Sequence, residues 1–130
     1  MSDATLCRPS LAAAALMAIT AGIHVFAGAP EINVPIQASD LPLILRAISA
    51  VLWHAVTLQL LVFTAALLWV AKHPNRPVSL LIASICLCYA ALFLAISTTM
   101  LHSPWPLPQW LLFTPLAALT LWGSSPPVPR

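Results

Sequence analysis

LILRAISAVLWHAVTLQLLVFTAALLWVA, residues 43–71, holds a single charged side chain, Arg46. A bilayer core about 30 Å thick needs roughly 20 helical residues to cross it. Counted from Leu41 to Ala71, the stretch would extend roughly 46 Å at the α-helical rise. It therefore crosses with length to spare, and tilts or projects outward so that Arg46 reaches the interface. Three further apolar stretches flank it, at residues 10–29, 78–101 and 107–123. The expected fold is all-α: an integral membrane protein with four transmembrane helices in an up-down-up-down bundle, forming one domain over residues 1–130.

Composition agrees. Hydrophobic residues make up 61% of the chain and charged residues 6%, against about 25% charged in an average soluble domain. Five Lys and Arg and three Asp and Glu cannot cover a soluble surface, so lipid must be the solvent for much of the protein. The basic residues are scattered, so nothing in the charge pattern suggests a nucleic-acid partner, and none is expected. Cys86 and Cys88 lie two apart on an expected helix and point to nearly opposite sides, and Cys7 is far from both. That pattern is not a disulfide framework, and the cysteines read as small hydrophobes. Arg8, the alanine-rich core and Ala27–Ala29 resemble a signal peptide. However, the apolar region exceeds the usual length of about 7–15 residues and Pro30 would follow the cut, so retention is expected.

Lys and Arg accumulate in cytoplasmic loops. Arg8 precedes the first stretch, Lys72 and Arg76 flank the turn His73-Pro74-Asn75, and Arg130 ends the chain. With four spans all of these fall on one side, placing both termini in the cytoplasm of a bacterial-type cytoplasmic membrane. The opposite loops, residues 30–40 and 102–106, carry Glu31 and Asp40 but no Lys or Arg. Proline marks the boundaries because it lacks a backbone N–H and disfavours helix in the preceding residue. Pro30, Pro35 and Pro42 bracket the first outer loop, and Pro74 and Pro77 separate the second and third helices. Pro115 interrupts the short fourth stretch and predicts a kinked span there.

Helices in lipid associate through close backbone approach and interhelical hydrogen bonds. Ala14, Ala18 and Gly22 form one small-residue seam. Ser79, Ala83, Cys86, Ala90 and Ser97 form another. Trp69, Trp105, Trp110 and Trp122 sit at the expected interfaces and read as anchors.

Polar side chains inside spans are the candidate functional groups. At helical spacing Arg46, Ser49, Trp53, Thr57 and Thr64 form a stripe on the second helix, with His54 at its edge and Gln59 pointing elsewhere. Met17, Thr20, His24 and Gly28 share a face of the first helix. Both histidines fall roughly 7–12 Å beneath the outer surface by helical rise. One reading is an outward-opening pocket in which His24 and His54 ligate a metal or haem, or hydrogen-bond a quinone-like head group, with Arg46 as electrostatic partner. In the plainer reading the histidines bond Thr20, Thr57 or backbone carbonyls, and Arg46 snorkels to Asp40, Glu31 or lipid phosphate. His102 is expected to be solvated, and His73 belongs with the basic rim. The hydroxyls of Ser97, Thr98 and Thr99 bond back to carbonyls four residues earlier. No acid lies inside an expected span and no nucleophile sits beside a base, so the sequence does not favour catalysis.

The chain length and four-span plan resemble those of the small multidrug resistance transporters. That family's pattern depends on a membrane-embedded glutamate in its first helix. Residues 10–29 contain none, so the resemblance covers architecture alone. The outline is also similar to small four-helix bacterial inner-membrane proteins, including small subunits of redox and photosynthetic complexes. The leading expectation is a non-catalytic accessory or scaffolding subunit that packs in the bilayer against a larger membrane protein or itself. The alternatives are the metal-, haem- or quinone-binding protein and a small oligomeric transporter or channel.

Overall fold

The computed structural model describes residues 6–124, and the expected inner position of Arg130 lies outside them. Among the described residues four helical segments make up the fold: α1 (Arg8–Ala38), α2 (Leu43–Lys72), α3 (Arg76–Leu101) and α4 (Trp110–Gly123). The first three, at 31, 30 and 26 residues, are long and apolar enough to cross a membrane. The fourth has 14 residues and runs through Pro115. Phe26 is 82% exposed, Leu43 73% and Met100 72%. So much exposed apolar surface is unusual for a protein in water and is what helices able to cross a membrane present.

The first outer loop is not where its prolines predict. Pro30 and Pro35 lie inside α1, and the connection to α2 shrinks to residues 39–42. Ile23–Asn33 adopts π-helical geometry with Pro30 in its interior, and Pro35 occupies the first turn of the α-helical end, Val34–Ala38. A proline ring collides with the carbonyl four residues back in an α-helix. The wider π turn pairs residues five apart and removes that collision. Such turns are rare and mostly single, so a π segment of 11 residues is unusual. It carries Glu31, expected in a loop, onto the helix.

The other connections follow local chemistry. The Asn75 side chain accepts a hydrogen bond from the Val78 N–H at 3.1 Å, capping the start of α3. His102 ends α3 in the left-handed conformation at φ 55°, and the Ser103 N–H returns to the Ser97 carbonyl. Thr98 and Thr99 do bond back four residues. Ser97 instead donates to the Ser103 carbonyl at 2.6 Å, pinning the outgoing chain.

The start of α1, the end of α2, the start of α3 and the end of α4 gather at one end, with Arg8, Lys72 and Arg76. At this basic end the packing is tight. The Cys7 N–H donates to the Ala71 carbonyl at 2.9 Å, and the Cys7 thiol donates to the Gly123 carbonyl at 3.5 Å. A Cβ on Gly123 would strike Ser10 Oγ and lie 3.0 Å from the Ser10 nitrogen. Met17, Leu67, Ile82, Cys86 and Leu116 fill the core behind this contact.

Burial fades toward the other end. In α1 the buried residues run from Ser10 to Ala21, and none lies in the π segment or beyond. In α2 only Leu60, Leu67, Val70 and Ala71 are buried. Helix α1 packs along α2 and α4, and α4 along α3, but α2 and α3 meet only lightly. The bundle is therefore two helix pairs joined at the basic end and spread apart at the other.

The expected seam on α3 is buried as read, from Ser79 through Ser97. The seam on α1 holds at Ala14 but not beyond it: Ala13, Ala14 and Met17 face the core, while Ala18 is exposed. Nothing lies within 4 Å of a Cβ built on Gly22. The bulky Met17 occupies the centre in place of the small residues. Cys86 is buried and Cys88 exposed, on opposite sides as their spacing predicts.

One hydrogen bond spans the light contact between α2 and α3. The Tyr89 hydroxyl donates to Gln59 Oε1 at 2.6 Å. A double-mutant cycle with Tyr89→Phe and Gln59→Leu is expected to give a coupling of about 0.6–1.7 kcal/mol, the range of interhelical hydrogen bonds in membranes. Zero coupling in reversible unfolding would show that this bond does not hold the pairs together.

Candidate functional site

Where the pairs diverge they enclose a cleft of about 910 Å³. Its walls come from the π segment of α1, the first half of α2, the Tyr89–Phe93 turn of α3 and the start of α4. The volume is in the range of small-molecule sites, roughly 300–1,000 Å³.

His24 and Trp53 form one wall. Their rings stack with centroids 4.0 Å apart and planes 19° from parallel. His24 Nε2 lies 3.3 Å from the Trp53 carbonyl oxygen, which also accepts from Thr57 at 3.1 Å. A carbonyl only accepts, so Nε2 is the donor in this contact. Gly28 makes the stack possible. A Cβ there would stand 3.0 Å from the outer edge of the indole, so even the smallest side chain would oblige the ring to give way by a few tenths of an ångström.

The opposite wall is aromatic. Tyr89 stacks on Phe113 with centroids 5.1 Å apart, and Phe93 on the same ring at 6.0 Å. Glu31 and Gln109 add polar groups. The Oε1 atom of Gln109 is buried and has no hydrogen-bond partner. The segment before α4 is held in place by the Trp110 indole N–H, which donates to the Pro104 carbonyl at 3.1 Å.

The candidate residues separate. His24 lines the cleft, whereas His54 is exposed and is not part of its wall. Arg46 sits above it and bonds α1: its Nη1 donates to the Gln37 carbonyl at 2.9 Å, and the Gln37 amide donates to the Arg46 carbonyl at 3.0 Å. That reciprocal pair fastens the turn at residues 39–42. Thr57 and Thr64, farther along the stripe, border a shallow groove against Ala18 and Gly22 of α1, with their hydroxyls bonded back to Trp53 and Leu60. His73 tilts against Trp69 at the basic end. Among the described residues no three His, Cys, Asp or Glu side chains gather as a metal site.

The chain matches no protein-family model, no curated protein and no solved structure. The site therefore speaks through its chemistry alone.

Sequence reasoning missed the aromatic half of the cleft. Tyr89 and Phe93 stand four apart and share a helix face, a signal that was present. Phe113 carried no such mark, since α4 is apolar on every side. Glu31 was misplaced because Pro30 read as a helix end.

Proposed function

We propose that this multi-pass membrane protein holds a lipid-soluble amphiphile in the cleft between its helix pairs, as a binding protein and not a catalyst. The observation that carries this reading is the His24–Trp53 stack facing Tyr89, Phe93 and Phe113 across about 910 Å³. Flat apolar walls take an apolar body, and the few polar atoms near the mouth orient a head group. The grouping of Arg8, Lys72 and Arg76 at one end supports a bacterial-type cytoplasmic membrane with four spans and both termini inside, so that the cleft opens toward the outer leaflet. In this orientation α4 and the segment before it make a short fourth crossing.

The accessory-subunit reading draws on the same gap. A helix of a larger membrane protein could fill the space between α2 and α3, where the two barely touch. Native mass spectrometry of protein extracted gently from its own membranes separates the two. A small-molecule mass excess that disappears in Trp53→Ala is the expected result. A complex with other polypeptides and no adduct would overturn the binding-protein reading in favour of the subunit.

A further inference from the structure

Resting on that reading, we infer that the head group held in the cleft is a hydrogen-bond-donating cation, an alkylammonium on an apolar tail. The polar lining is biased toward acceptors. Among the described residues Glu31 is the one charged side chain in the wall, and no Lys or Arg lines it. Gln109 Oε1 is a buried acceptor with no partner, which costs free energy until something donates to it. The His24 Nε2 proton is committed to the Trp53 carbonyl, so it is not free to donate to a ligand. Trp53, Tyr89, Phe93 and Phe113 line the cleft, and aromatic rings attract a cation that comes over an open face. Arg46 is turned away onto the Gln37 carbonyl. Helix ends do not reverse this bias. The C-terminal ends of α1 and α3 and the N-terminal ends of α2 and α4 meet at this side, and their opposed dipoles largely cancel.

Each feature selects against another head group. A carboxylate or phosphate would face Glu31 with no cation to balance it. A quinone offers only acceptors and would leave the Gln109 oxygen unpaired. A quaternary ammonium satisfies the charge and the aromatic faces but has no N–H for that oxygen. A protonated primary amine supplies both, with three donors on one centre.

The test uses the full chain in phosphatidylcholine nanodiscs, with empty nanodiscs subtracted. Four probes share one tail: dodecylammonium, dodecyltrimethylammonium, dodecanol and dodecanoate. Binding is read as the change in tryptophan fluorescence that Trp53→Phe removes. Dodecylammonium should bind at least tenfold more tightly than each of the other three. Glu31→Gln should weaken dodecylammonium about tenfold and leave dodecanol unchanged, and Gln109→Leu should erase its advantage over the trimethyl compound. Dodecanoate or dodecyltrimethylammonium binding as tightly as dodecylammonium would overturn the assignment. So would a Glu31→Gln protein that keeps the full preference. If all four probes give the Trp53-dependent signal without preference, the head-group assignment falls and the amphiphile cleft stands. If none gives it, both fall.

Discussion

Gly123→Val is expected to destabilise the protein by about 3 kcal/mol, near the upper end for forcing extra carbons into a packed contact. Helices α1 and α4 touch at Ser10 and Gly123 so closely that a single Cβ strikes Ser10 Oγ and presses to 3.0 Å from the Ser10 nitrogen. The obstacle includes backbone, which cannot rotate away as a side-chain tip can. Nor can the start of α1 retreat freely, because Cys7 bonds the Ala71 carbonyl on one side and the Gly123 carbonyl on the other. In lipid no hydrophobic drive between helices compensates for lost contact. The measurement is reversible unfolding in mixed micelles. Adding Ser10→Gly to Gly123→Val should recover about 1 kcal/mol, because it removes the hydroxyl but leaves the backbone nitrogen, and contacting sites are not additive. A Gly123→Val protein within about 0.5 kcal/mol of the parent, inside the usual range for changes that touch no packed contact, would mean that the two helices are not in contact there.

Gly28→Leu should act on the site and spare the fold. The neighbour that a Cβ would meet at 3.0 Å is the far edge of the Trp53 indole, and that ring borders open space. It can swing into the cleft at little cost to the packed half of the bundle, which lies toward the other end. Two consequences follow from the displaced ring: the His24 stack is broken, and the leucine with the indole occupies the volume meant for ligand. Amphiphile affinity should fall at least tenfold, about 1.4 kcal/mol of binding free energy. Unfolding stability should stay within about 1 kcal/mol, since no buried core contact is lost. Titration of the same nanodiscs, with unfolding measured alongside, checks both halves. Unchanged affinity would separate the His24–Trp53 wall from binding and remove the central support for the proposed site.

Most helical boundaries were legible because a bilayer makes them a local matter. Every backbone polar group must be satisfied inside the segment, so an apolar run such as residues 43–71 has little choice but helix. Pro74 and Pro77 marked the break between α2 and α3 in the same local way. The grouping of Arg8, Lys72 and Arg76 at one end was also legible in the chain alone, because successive apolar stretches joined by short turns alternate in direction.

Tertiary structure decided which faces meet. A stripe on one helix does not name its partner, because lipid and a neighbouring helix present nearly the same apolar environment. Hence Ala18 and Gly22 could read as a core seam while Met17 took the centre, and His24 could be paired with His54 when its stacking partner was the preceding residue, Trp53. Pro30 shows the same limit along the backbone. Its ring costs an ordinary α turn a hydrogen bond and a clash, and the chain adopts π geometry over Ile23–Asn33. Length, charge and periodicity determined that helices form and where they turn. The cleft arose only when those helices packed tightly through Ser10, Met17 and Gly123 at one end and left the other end apart.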